Sequence, residues 1–190
     1  MREPSKAVLC REAEDSYRTL IEACGEDPNR EGLQATPDRA ARAWRELTCG
    51  YNSDPELTVF PAEGADQIVA VRHISFFSLC EHHLLPFYGH AHIAYLPSET
   101  ILGLSKFARV VEAYARRLQV QERLTQQVAD RITEVLHPGG LLVVLEAEHL
   151  CMAMRGVQRI GSRTRTSYAG GAFRNSPGAR AEAFALLGLN

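Results

Sequence analysis

Residues 104 to 136 carry two consecutive helical stripes with strand-like sequence on both sides, and that order is the tightest constraint on the fold. Phe107, Val110, Val111, Tyr114 and Leu118 recur at helical spacing, and Leu124, Val128, Ile132, Val135 and Leu136 repeat the pattern. Before them, "DQIVAVRHISFFSL" and "YGHAHIAYLP" are rich in β-branched and aromatic residues. After a turn at "HPGG", "LLVVLEAEHLCMAMRGVQRI" returns to strand and "SRTRTSYAGGAF" continues it. Strands, a helix pair and strands again predict an α+β domain with an antiparallel sheet.

Upstream, Leu9, Ala13, Tyr17, Leu20, Ile21 and Cys24 predict a helix stopped by Gly25. "ATPDRAARAWRELTCG" predicts a second helix, with Thr36 as N-cap, Pro37 at the first helical position and an apolar stripe of Ala40, Ala41, Trp44 and Leu47. Residues 1–66 therefore read as an N-terminal helical region and 67–190 as the main domain, closed by a short helix at "GARAEAFALL". A chain of 190 residues with 45% hydrophobic content is long enough to bury such a core.

The net charge of −2 gives no global attraction for nucleic acid or an anionic membrane, so any anion site must be local. No signal peptide or membrane span is visible, which makes the cytoplasm the expected address. Five scattered cysteines, at 10, 24, 49, 80 and 151, argue against a disulfide framework. Cys10, Cys24 and Cys49 lie in or beside the N-terminal helices and are expected to be small buried hydrophobes.

"CEHH" places Cys80 and His83 at metal-ligand spacing. Cys151 lies on the predicted strand two residues after His149, so one face of that strand reads His149, Cys151, Ala153, Arg155. Thiol and imidazole together favour zinc. Cys80, His83 and Cys151 are three ligands, the catalytic pattern, with His82 or His149 as an alternative fourth. "GLSKFARVV" opens a helix with Ser105 near its start and Lys106 and Arg109 on one side, a place for an anion that Arg155 could join. Gln121 and Glu122 stand in the first turn of the next helix, where a carboxylate could accept from a guanine's N1–H and amino group.

"DPNREGLQATPDRAARAW", "CEHHLLPFYGHAHIAYLP", "GLSKFARVVEAYARRLQVQERLTQQ", "EHLCMAMRGV" and "SRTRTS" together resemble GTP cyclohydrolase I. The resemblance implies the tunnelling fold (T-fold): an antiparallel sheet with helices on one side, assembled into a β-barrel pentamer and a decamer with sites between chains. It implies Zn2+ on Cys80, His83 and Cys151, and proton transfer by His82 and His149. It further implies Glu122 with Gln121 on the guanine, Ser105 near the ribose, and Lys106, Arg109, Arg155 and Arg39 on the triphosphate. The implied activity is zinc-dependent hydrolysis of GTP at C8, with formate release and rearrangement to 7,8-dihydroneopterin triphosphate, the first step of folate and pterin biosynthesis. The alternatives are a same-fold enzyme that stops at the formamide or acts on another pterin, and a non-catalytic zinc module. The segment Ser167 to Phe173 receives no role, and His90 and His92 are read as strand-face residues although they alternate like a metal pair.

Overall fold

The computed structural model describes residues 6 to 189, with side chains from residue 11 onward; the expectation for Cys10 lies outside the described side chains. Contacts divide the chain into two units, residues 1–48 and 49–190. The first unit holds α1 (Lys6–Ala23) and α2 (Thr36–Leu47), which pack on each other. Thr36 is the first helical residue rather than the cap, and no side chain caps this end; Pro37 stands in the first turn as expected. Ala41 is buried on the apolar stripe, whereas Leu20 of α1 is 59% exposed. Cys24 is exposed too, against the expectation of burial.

The second unit begins with Cys49, which is also exposed rather than buried. Its elements are β1 (Val59–Pro61), β2 (Val69–Cys80), β3 (Pro86–Leu96), β4 (Thr100–Leu102), α3 (Leu104–Ala115) and β5 (Leu118–Gln119). Then come α4 (Gln121–Leu136), β6 (Gly140–His149), α5 (Leu150–Ala153), β7 (Arg163–Gly171), α6 (Ala172–Asn175) and α7 (Pro177–Leu187). The main sheet runs β5-β2-β3-β6-β7; β2, β3, β6 and β7 pair antiparallel, and the two-residue β5 joins β2 in parallel. β1 and β4 form a small separate ladder.

Alternation along β3 explains the layering. Phe87, Ala91, Ile93 and Tyr95 turn to the face covered by α3 and α4, where Phe107, Val110, Val111, Leu124, Val128 and Ile132 are all fully buried. Ala94 turns the other way and meets Leu142, Val144, Phe173, Ala183 and Leu187, so α6 and α7 cover one corner of the opposite face. Each large side chain so buried contributes about 1.5–3 kcal/mol.

The strand expected through residue 160 stops at His149. Met154 N–H donates to Leu150 C=O at 3.0 Å, closing one helical turn. "LCMAM" lacks β-branched residues, and its leucine, alanine and two methionines favour helix, which lets the backbone coil there. A turn region with Gly156 and Gly161 at positive φ follows before β7 begins. Three strands were expected after the helix pair, and two are formed. At the strand end where this happens, Gly89 on β3 is obligatory: a Cβ there would lie 1.9 Å from Glu146 C=O. That close approach of β3 to β6 sets Phe87 directly opposite His149.

Candidate active site

One end of the sheet gathers three chain segments. β2 ends at Cys80, β6 ends at His149, and β5, paired beside Cys80, leads straight into α4. The segment after Cys80 closes as a tight turn: Leu84 N–H donates to Cys80 C=O at 2.8 Å and Cys80 N–H to Leu85 C=O at 2.8 Å. Leu84 completes it in the left-handed region, φ 56°. The turn carries Cys80 and His83 to the same side, with Cys80 Sγ and His83 Nδ1 3.8 Å apart. Glu81 is tied to Arg123 of α4 by a short ion pair, which also holds its carboxyl below the usual carboxylate range. That link anchors the turn to the helix.

α5 brings in Cys151. The donor atoms of Cys80, His83 and Cys151 all lie within 4.8 Å of one another, the only such triple among the described residues. The expected ligand set therefore converges, although not by the expected route: a helical turn, not a strand face, delivers Cys151. Burial pushes the Cys151 thiol up, and the neighbouring Cys80 adds to the shift, while Arg155 opposes it. Two thiols and an imidazole in that arrangement suit zinc, whose charge would reverse the penalty on the thiolates. His82, with Nδ1 3.9 Å from Cys80 Sγ and a side chain 64% exposed, stands at the rim.

His149 is held from two sides. Its ring stacks on Phe87, centroids 4.6 Å apart and planes within 2°. Its Nε2 lies 2.8 Å from Gln121 Oε1. Gln121 is 1% exposed, and its Nε2 donates towards Leu145 C=O, Thr164 C=O and Thr166 Oγ1 at 3.0 to 3.1 Å. Carbonyls only accept, so the amide cannot be flipped, and Oε1 must face the imidazole. His149 Nε2 is then the donor, and no described residue bonds to Nδ1, which is left free to exchange a proton. Burial lowers the pKa of His149, and Glu122 is the group that opposes it.

The remaining expected residues are spread over two units. Ser105, Lys106 and Arg109 lie in the first turns of α3, and Arg109 lines a cleft with Cys49, Gly50 and Arg116. Glu122 is exposed one position from the inward-facing Gln121. Arg155 is exposed in the turn after α5, near enough to influence Cys151. Arg39 is exposed on α2 of the first unit. Sequence reasoning set Gln121 beside a guanine; its side-chain amide is engaged within the protein. The platform Phe87 and the tie between Glu81 and Arg123 were not found from sequence. A paired register of β3 and β6 would have pointed to Phe87; nothing local marked the other.

A family model described as GTP cyclohydrolase I matches residues 13–188. A protein named GTP cyclohydrolase 1 from Chlorobium chlorochromatii is 52% identical over 95% of this chain and 82% of its own length. Those of Carboxydothermus hydrogenoformans and Streptococcus pyogenes are 53% and 48% identical, over 92% and 98% of this chain and 93% and 97% of their own. No helix among the described residues is long and apolar enough to cross a membrane.

Proposed function

Since the chain belongs to the GTP cyclohydrolase I family, we propose that it opens the guanine of GTP by hydrolysis at C8, releases formate and rearranges the product to 7,8-dihydroneopterin triphosphate. The observation that carries this reading is the convergence of Cys80, His83 and Cys151 at the sheet end that also holds His149. These three residues would hold zinc, which when bound supplies Lewis acidity that activates water near neutral pH.

The residues around them have separable tasks. His149, presenting Nδ1, gives the proton that makes C8 electrophilic. A buried imidazolium with a lowered pKa is a stronger acid, which helps it protonate a weak base. Gln121 keeps Nε2 protonated and the ring oriented, while Glu122 beside it accepts from the base's N1–H and amino group. His82, exposed at the rim, serves the later proton transfers on the sugar side. Lys106, Arg109, Arg155 and Arg39 hold the triphosphate, with Ser105 at the ribose.

These cations come from α2, α3 and the turn after α5, and a homo-oligomer that shares each site between neighbouring copies would unite them, consistent with the family's tunnelling fold. Mass spectrometry of the product from GTP tests the overall reading. Dihydroneopterin triphosphate plus formate is expected; an end product that retains the formyl carbon would favour the same-fold enzyme that stops at the formamide.

A further inference from the structure

The sheet face turned away from α3 and α4 carries a second cluster of potential ligands. His90 and His92 alternate on β3 and so share that face. β2 has a bulge between Val71 and Ile74, so that Arg72 and His73 together oppose His92. His73 adopts φ 56°, a left-handed conformation that costs a non-glycine residue of order 1–3 kcal/mol. The result is three imidazoles from two strands: His73 to His92 5.0 Å, His73 to His90 5.7 Å and His90 to His92 6.5 Å between ring centres.

Within this cluster lies an unpaired atom. His92 is 3% exposed, and its Nδ1 is the one buried side-chain nitrogen or oxygen without a hydrogen-bond partner among the described residues. Native proteins rarely leave such an atom unpaired, and each exception asks for a missing partner. A hydrogen-bond donor or a cation could fill that role. The surroundings favour a cation. The two nearest rings are imidazoles, and Glu146, which faces His90 across the β3–β6 ladder, supplies a carboxylate that Arg165 approaches at 3.5 Å.

We propose that His73, His90 and His92 form a second metal site, separate from Cys80, His83 and Cys151, selective for borderline divalent ions that prefer imidazole, such as nickel, cobalt or zinc. With metal–nitrogen bonds of about 2 Å, ligating rings sit about 5 Å apart centre to centre. His73 and His92 already have that separation; the donor atoms of the three are not gathered as closely as those of Cys80, His83 and Cys151, and half-buried His90, 5.7 and 6.5 Å from the other rings, must rotate to close the set. His92 is held neutral by burial and by the two neighbouring histidines, its pKa pushed down to about 4, so its nitrogen is available to a metal at neutral pH. Glu146, opposite His90 on the ladder, contributes negative charge that is felt at His92. The site differs in kind from the thiolate centre: it has no sulfur and takes part in no step of the proposed reaction.

The test uses protein reconstituted with a single equivalent of Zn2+, enough for the thiolate centre alone, then equilibrated with one equivalent of Ni2+, desalted and measured for both metals. The expected result is close to one nickel per chain beside one zinc. His73→Ala and His90→Ala should each cut retained nickel at least tenfold while leaving zinc content and GTP turnover near wild type. Both positions are more exposed than His92, so neither change opens the core. Less than a tenth of an equivalent of nickel on the wild type, or either variant retaining as much as the wild type, would overturn the proposal.

Discussion

Gln121 Oε1 accepts from His149 Nε2 across 2.8 Å, and the amide has no freedom to do otherwise because its NH2 group is committed to Leu145 C=O, Thr164 C=O and Thr166 Oγ1. Thr125 completes the chain: its hydroxyl donates to Gln121 C=O at 2.9 Å and so accepts from Thr166 Oγ1 at 2.7 Å. Gln121→Met keeps the volume and removes this control of the imidazole. The expected result is a fall in kcat on the order of 10²-fold, the scale of a misdirected general acid, with one zinc per chain retained. An unchanged kcat would reduce Gln121 to a core residue.

The two candidate proton donors should fail at different stages. His149→Ala is expected to block ring opening, because it removes the group that charges the base before water attacks. His82→Ala is expected to open the ring and let the formamide accumulate. Quenched reactions analysed by mass spectrometry distinguish them; equal formamide in both would reverse or erase the assignment.

Much of this organisation was readable from sequence, for identifiable reasons. α3 and α4 follow from apolar residues at a strict helical period, and β2 and β3 from β-branched and aromatic runs; both patterns are local. The grouping of Cys80, His83 and Cys151 was legible because thiols and imidazoles are scarce and chemically specific. The route by which Cys151 arrives was not: a short apolar stretch such as "LCMAM" has no period to read, and one helical turn and one strand face present it equally well. The inward turn of the Gln121 side chain was hidden for a related reason. Whether the first or second residue of α4 turns inward depends on how β5 delivers the chain, which is a tertiary fact. The bulge at His73 was invisible as well, since it is defined only against β3.

Glu122 is exposed beside an inward-facing neighbour, as a residue meeting a ligand should be. Glu122→Gln exchanges a pure acceptor for an amide whose donor face opposes those of the base. Loss of that charged pairing should cost on the order of 2–5 kcal/mol in kcat/KM. Steady-state kinetics with GTP measures it directly, and a wild-type value would leave Glu122 as a charge at a helix terminus.

Acid stability should report the sheet-face histidines. His92 is pushed down to about 4 by burial, then by His73 and His90, with Arg165 acting the same way and Glu146 opposing. In the unfolded chain it titrates near ~6.5. As pH falls below that value the unfolded state takes up the proton first, so stability is full above it and drains away until the folded-state value is reached. The loss is on the order of 3 kcal/mol. Urea unfolding of wild type and His92→Gln between pH 7 and 4 should show the wild type losing more stability by about this amount. Parallel slopes would contradict the buried, neutral state of His92.

Ring opening is expected to depend on a metal held by Cys80, His83 and Cys151. The most direct measurement is formate released per GTP, recorded together with zinc per chain, for zinc-loaded wild type, chelator-stripped wild type and Cys151→Ser. One formate per GTP is expected from the zinc-loaded protein, and formate and zinc should be lost together in the other two, with activity restored to the stripped wild type alone when zinc is returned. Full formate release from either metal-free protein would show that the reaction does not need this metal site.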